Sequence, residues 1–436
     1  MAEKNVFMAG YSRVDITPDP SIIGLKDVHD PLFVTCVALS DGEQKVLVFS
    51  LDVKNFGRDI CNQVKADINE ALGVPVENII MSATHNHSAP TPGGNSEIEV
   101  AWANDLYKKI VKIAGEALDD LDECEVSAGK GKSTGLAFVR RYFHEDGSFS
   151  GINYRRKSTT PVVRYESEAD DSVGVLCFER KNKKNIVMVN WQAHVAHAIG
   201  KYTTSISGDL VGVVRNSVEA KKDVLLEYFQ GASGNINLTV KVAGTGSCGG
   251  DFEKVGEALG DIVADVLDTK LERVNVGKFS TYLGSFTTRF RRETDERIAN
   301  AKLVIAAGPR GSEEYNAALD KYDFRSSHEV DKVLALEQYD GRPSTQVLGA
   351  IGFGDIAFVA VPYEMFDTNG MAVKNASPYN NTFILTCAGG GVGYVPSALS
   401  VKNRGFEVTA TNFEFGTAEM VEKQLIEVLH DLKNNN

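Results

Sequence analysis

Hydrophobic and polar positions alternate along the chain in two rhythms. KVLVFSLDV (45–53) is a nearly unbroken apolar run, the pattern of a buried strand. RDICNQVKADINEALG (58–73) repeats apolar residues at helical spacing, with Ile60, Val64, Ile68 and Leu72 on one face and Gly73 as the stop. ENIIMSA (77–83) is a second short strand. Strand, helix and strand of these lengths predict a parallel crossover unit.

The same reading continues downstream. EIEVAWANDLYKKIVKIAGEALDDL (97–121) is a long amphipathic helix. SVGVLCFER and NIVMVNWQAH (172–180 and 185–194), separated by KNKK, predict a hairpin. VLLEYFQGASGN (224–235) is a strand running into a loop of small residues, and STQVLGAIGFGDIAFVAVPYEMF (344–366) returns to strands. Residues 290–340 are charged and helical, and read either as an inserted cap or as a subunit contact of a homo-oligomer. The C-terminal GTAEMVEKQLIEVLHDL is a helix. With no repeat and no clear linker, the pattern predicts one catalytic domain over residues 1–436. Its expected class is α/β, with mixed β-sheets layered with α-helices.

Composition narrows the function. A chain of 436 residues with 43% hydrophobic and 24% charged residues can build a core without a metal or disulfide staple. The net charge of -13 disfavours nucleic acid and anionic membranes at long range. The basic clusters RRKS (155–158) and RFRRE (289–293) are flanked by acidic segments. Six cysteines (Cys36, Cys61, Cys124, Cys177, Cys248 and Cys387) form no CxxC pair and read as reduced thiols. The N-terminus lacks the apolar core of a secretion signal, and no run is long enough to span a bilayer. The expectation is a cytoplasmic protein without a stable membrane anchor.

The candidate chemistry lies at strand ends. His85 and His87, in ATHNHSAP, follow a strand and share one side of an extended segment. His194 ends NIVMVNWQAH and Glu364 ends IAFVAVPYE. Open α/β sheets gather ligand sites at the carboxyl ends of their strands. Two histidines and a carboxylate can hold zinc and leave a position for water. Against this, a histidine at a strand end is more often a satisfied polar residue, and Glu364 is equally suited to starting a helix. His29, His144, His328 and His430 read as surface or structural. Asp52 and Asp209 are either carboxylates that orient metal-bound histidines or helix caps. Ser233 in GASGN departs from the nucleophile elbow, because Asn235 stands where that motif needs glycine. The Gly-rich CGGD (248–251) and CAGGGVGY (387–394) lack the lysine of a P-loop.

IIMSATHNHSAPTPGG resembles the THTHSGPGG signature of the neutral/alkaline ceramidase family. MAGYSRVDITP is similar to that family's DITP opening. VLVFSLDV, VNWQAH, SISGDLVG, FQGASGNIN, VPYEM and GYVPSALSVKNRGFEV resemble its later segments in the same order, over nearly the whole chain. The resemblance implies a zinc-dependent amidase acting on a small-molecule N-acyl substrate, with zinc-bound water as nucleophile. It implies His85, His194, Glu364 and Tyr394 as Zn2+ ligands, His87 for proton or oxyanion handling, and Arg140 for the oxyanion, with Arg141 as its neighbouring alternative. His197 is a modest candidate for the pocket.

Three departures shape the expectation. Phe406 stands where the family has a tyrosine, and the family's C-terminal β-sandwich and secretion signal have no counterpart here. The expected substrate is therefore a soluble linear amide rather than membrane ceramide. The alternatives are a metal-dependent esterase or phosphoesterase on the same site, and a non-catalytic acyl-ligand-binding protein.

Overall fold

The computed structural model describes residues 6–92, 97–152, 158–239 and 251–435. Cys248, the glycines of CGGD and most of RRKS lie outside the described residues. The apolar runs pair as buried strands. Lys45–Leu51 and Ile79–Ala83 lie parallel, connected by the helix Arg58–Leu72. Ser172–Arg180 and Asn185–Trp191 form the antiparallel hairpin, and Val224–Gln230 adds parallel to the latter.

A nine-stranded sheet results. Its spatial order is Val224–Gln230, Asn185–Trp191, Ser172–Arg180, Asp122–Lys132, Met8–Asp15, Phe33–Ser40, Lys45–Leu51 and Ile79–Ala83, with Glu272–Arg273 pairing beside Asp122–Lys132. A four-stranded sheet orders Ser280–Arg289, Pro343–Phe353, Ile356–Ala360 and Asn381–Leu385.

The sheets bury facing surfaces. Val48, Leu176, Met188 and Phe229 of the large sheet pack against Phe353, Phe358 and Phe383 of the small one. The outer face of the large sheet is covered by the helices Arg58–Leu72 and Glu97–Asp119 on one half, and by Asp209–Lys221 and Phe252–Thr269 on the other. The outer face of the small sheet is covered by Thr417–Asn434. The layers therefore run helix, sheet, sheet, helix, an α/β fold of mixed sheets. At Gly10 an added Cβ would stand 2.1 Å from the Ala117 carbonyl oxygen, so the missing side chain lets Glu97–Asp119 lie directly on the strand.

One helical face differs from the sequence reading. Arg58–Leu72 buries Cys61, Val64, Lys65 and Ile68, while Ile60 and Leu72 are half-buried at its margins. The helix is turned by about one position, which carries a lysine inward. Residues 290–340 contain three helices, Asp295–Ala306, Glu313–Lys321 and Ser327–Glu337, at the tip of the hairpin Ser280–Arg289/Pro343–Phe353. They share a small core around Val304, Tyr315 and Val330.

This topology positions the site. The three parallel strand pairs within the two large sheets end at Leu51 and Ala83, at Trp191 and Gln230, and at Ala360 and Leu385. A bridge between Ser82 and Ala388 ties the carboxyl ends of the two sheets together.

Candidate metal centre

The loops leaving these ends bring distant residues together. His85 follows Ala83 and takes a left-handed backbone, φ 60°. His194 lies three residues past Trp191. Glu364 sits in a two-residue strand paired in parallel with Tyr394, which follows the Gly-rich turn. Glu364 thus belongs to a strand pair, and the next helix begins only at Asp367.

Ligand nitrogens of His85, His87 and His194 all lie within 4.8 Å of one another. His85 Nε2 stands 3.2 Å from His87 Nε2 and 3.2 Å from Glu364 Oε2. His194 Nε2 lies 3.8 Å from the same carboxylate oxygen. The His194 ring is nearly parallel to that of Tyr394, at 6.4 Å between centroids. His85, His194 and Tyr394 are buried, and His87 is half-buried.

The remaining ring nitrogens fix the tautomers. His85 Nδ1 lies 2.9 Å from the Lys54 carbonyl oxygen, and His194 Nδ1 lies 3.4 Å from that of Ser233. An Nδ1–H donated to a carbonyl leaves Nε2 as a lone pair. Two such lone pairs, the His87 ring and the Glu364 carboxylate then converge. Glu364 Oε2 is buried without a hydrogen bond although His85 Nε2 is near. Electron-rich atoms so arranged fit a bound cation, and imidazole with carboxylate suits zinc or a similar transition metal.

The electrostatics agree with this geometry. Burial opposes a charge on His85, but Cys387, whose sulfur lies 3.6 Å from Nδ1, and Glu364 outweigh it and hold its pKa well above the usual value. Without a metal, a proton takes the cation's place. Burial, Arg140 and His85 push His194 well below the usual value, and burial and His85 bring His87 down to about 3. Burial would raise Glu364, yet His85 and Tyr394 hold it below the ordinary carboxylate value. Burial and Glu364 push the Tyr394 phenol well above its usual value.

Arg140 is buried beside this cluster. It donates from Nε to Glu407 Oε1 (2.7 Å), from one terminal nitrogen to Asn237 Oδ1 (3.2 Å), and from the other to the Gly234 carbonyl (2.7 Å) and the Tyr394 hydroxyl (3.2 Å). Four of its five N–H donors are thus engaged. Arg141 faces away, to Glu166, to the second oxygen of Glu407 and to the carbonyls of Ser400 and Arg404. Glu407 carried no signal in the sequence beyond following Phe406.

Other candidates fall into place around the centre. Asp52 accepts from the Phe33 amide and Arg215, and Asp209 from the amides of His197, Ala198 and Leu210. Neither hydrogen-bonds an imidazole; backbone carbonyls orient the histidines instead. Ser233 is buried and contributes its carbonyl. His197 is buried with the Leu238 amide 3.5 Å from Nε2, outside the three-histidine group. Phe406 packs edge-on against Tyr394 (5.9 Å between centroids) and also against His328 of the 290–340 helices (5.0 Å).

The chain superposes on a crystal structure of neutral ceramidase from Pseudomonas aeruginosa with a TM-score of 0.74 and 15% identity, covering 99% of this chain and 75% of that one. The chain has a ceramidase fold. A structure described as ceramidase complexed with C2 gives a TM-score of 0.71 and 14% identity, covering 99% of this chain and 76% of the other. No family model matches the sequence, and no curated protein does. The ceramidase fold thus extends over nearly the whole chain. Among the described residues, no helix is long and apolar enough to cross a membrane.

Proposed function

We propose that the chain is a zinc-dependent amidohydrolase that cleaves the N-acyl bond of a small linear amide. The observation that carries this reading is the convergence of the His85, His87 and His194 rings beside the buried Glu364 carboxylate within a ceramidase fold. His85, His194, Glu364 and Tyr394 would hold the metal. Zinc at such a site supplies Lewis acidity, bringing the pKa of water to about 7.

The chain's residues have separate tasks in this reading. His87, the half-buried imidazole 3.2 Å from His85 Nε2, accepts a proton and returns it to the departing amine. Its half-buried ring is the histidine most open to substrate. Arg140 has few donors left for substrate, so it acts chiefly on the Tyr394 oxygen. Oxyanion stabilisation then falls mainly to the metal site and His87. Phe406 supplies an apolar edge where a hydroxyl would otherwise stand.

A phosphoesterase would be expected to hold two metals about 4 Å apart. The described residues offer one three-histidine group, which favours acyl chemistry. The test is elemental analysis of the wild type beside His85→Ala and Glu364→Ala, followed by a panel of amide, ester and phosphate substrates. About one zinc per chain, lost in both variants, with metal-dependent amide cleavage is the expected result. A wild type that takes up no zinc from zinc-supplemented growth would sink the reading, and turnover of esters alone would replace it with the esterase.

A further inference from the structure

The segment that holds His85 also carries a positive charge to the mouth of the candidate metal centre. Val53 and Lys54 run beside the loop from His85 to Pro90. The Asn86 amide donates to the Val53 carbonyl (3.2 Å), the Lys54 amide donates to the Pro90 carbonyl (3.3 Å), and the Lys54 carbonyl faces His85 Nδ1 (2.9 Å). The next residue, Asn55, lies on the Gly-rich turn before Tyr394, where an added Cβ at Gly391 would stand 2.3 Å from Asn55 Oδ1. The main chain of Lys54 is thus fixed against the residues that form the centre.

Its side chain is uncommitted. Lys54 is half-buried, and among the described residues no hydrogen bond or ion pair engages its ammonium, which is not enclosed and reaches solvent. The Lys54 charge acts on the half-buried His87 ring, as the Arg140 charge does. A charge felt by that ring lies near whatever the ring touches. Arg140 has a carboxylate of its own in Glu407, at 2.7 Å. Lys54 has none among the described residues, yet it stands by side chains that converge on a cation. Two positive charges at one mouth repel, and an anion bound between them relieves both.

We propose that Lys54 anchors a carboxylate on the amine half of the substrate, which makes the substrate class N-acyl amino acids. The proposal rests on the amidohydrolase reading, in which His87 returns a proton to the departing amine. The amine half then lies next to His87, and a carboxylate on it meets the Lys54 ammonium. A neutral amino alcohol in the same place leaves that charge unmatched. Lysine suits the task, because its ammonium is a compact charge on a flexible stem and can follow amines of different size. Lys54 takes no part in bond breaking and sets which amine is accepted. Hydrolysis of such an amide by water gives a carboxylic acid and a free amino acid.

The test compares N-hexanoylglycine, N-hexanoylethanolamine and N-butylsuccinamate, which carry a carboxylate on the amine half, on neither half and on the acyl half. Turnover is measured on zinc-loaded wild type, Lys54→Met and Lys54→Arg. Calorimetry measures binding of the ketone analogues, in which a methylene replaces the amide nitrogen. The wild type should favour the glycine amide over the ethanolamide by at least about tenfold in kcat/KM, chiefly through KM. Lys54→Met should bring that ratio close to unity, and Lys54→Arg should retain most of it. The ketone analogues should bind in the same order. Lys54→Met should also bind zinc at least as tightly as the wild type, because a like charge has left the mouth. A wild type without the glycine preference, equal ratios in wild type and Lys54→Met, or a preference for the succinamate would each overturn the anchor. If no amide is cleaved, the hydrolase reading fails on its own, and the ketone analogues decide. A Lys54-dependent preference for the amine-side carboxylate then upholds the anchor, and its absence overturns it.

Discussion

Glu407 and Arg140 form a wholly buried ion pair, Oε1 to Nε at 2.7 Å, one residue-width from the Tyr394 hydroxyl. The same carboxylate holds Arg141 through its second oxygen at 2.9 Å. Glu407 therefore neutralises a guanidinium that would otherwise repel any cation held by His85, His194 and Glu364. Glu407→Gln keeps the shape and removes the charge. Losing one partner of a buried pair typically costs about 3–5 kcal/mol, so a lower Tm is expected. Zinc affinity, measured by chelator competition, should fall about 10–100-fold. Glu166→Gln breaks the far end of the network at Arg141 and should lower Tm while leaving zinc affinity nearly unchanged. Equal zinc affinities in wild type and Glu407→Gln would refute the counter-charge role.

Proton and metal compete for His85. Its pKa is held well above the usual value in the metal-free site, by Cys387 and Glu364 against the effect of burial. A group with a raised folded pKa stabilises the fold fully below its unfolded value, near 6.5, and that stabilisation is lost as pH rises through the folded value. Metal binding needs the neutral ring. Zinc affinity should therefore rise with pH until the folded value is passed and then level off, with proton release on binding below it. Calorimetry in buffers of different ionisation enthalpy measures that release. Binding without proton release across this range would exclude the competition.

His197 acts in the opposite direction. Burial, followed by the Arg140 charge, brings its pKa down to about 4. Between that value and an unfolded value near 6.5, the unfolded chain binds the extra proton, so stability falls as pH is lowered through the window. The full effect is about 3 kcal/mol. His87, down to about 3, adds to it with the same sign. Denaturant titrations of metal-free protein from pH 7 to about 4 should show a shallower decline in His197→Gln than in the wild type. A parallel decline in both would mean that His197 titrates normally.

The sequence carried the parts of this picture that reside in apolar spacing and in side-chain identity. The crossover Lys45–Leu51, Arg58–Leu72, Ile79–Ala83 was legible because its strands are uninterrupted apolar runs and Gly73 takes the left-handed stop. His85, His87, His194 and Glu364 were legible because each lies at the end of a strand, Tyr394 only through the family resemblance, and the fold brings these residues close together. What escaped was carried by main-chain atoms or by long-range pairing. The Lys54 and Ser233 carbonyls that set the histidine tautomers have no residue signature. Glu407 acquires its role only when the loop after Tyr394 folds against Arg140, 267 positions away in the chain. Lys65 was masked because a helical wheel is scored by its apolar residues, and the true inward face includes a cation.

Gly393 sets the approach of Tyr394 to the centre. Its φ is +92°, a region that side chains rarely adopt, and an added Cβ would meet only the Asn412 amide nitrogen, at 3.9 Å. Gly393→Ala therefore introduces backbone strain without a clash, at a cost of about 1–2 kcal/mol. Gly416 has φ +96° with nothing within 4 Å, at the start of the C-terminal helix, and provides the matched control. Both alanine variants should lose similar stability in the metal-free state. Only Gly393→Ala should also lose zinc affinity, because relaxing its strain moves Tyr394 relative to Glu364, its partner in the two-residue strand pair. If both variants bind zinc as the wild type does, Tyr394 is not a ligand, and the metal rests on the histidines and Glu364 alone.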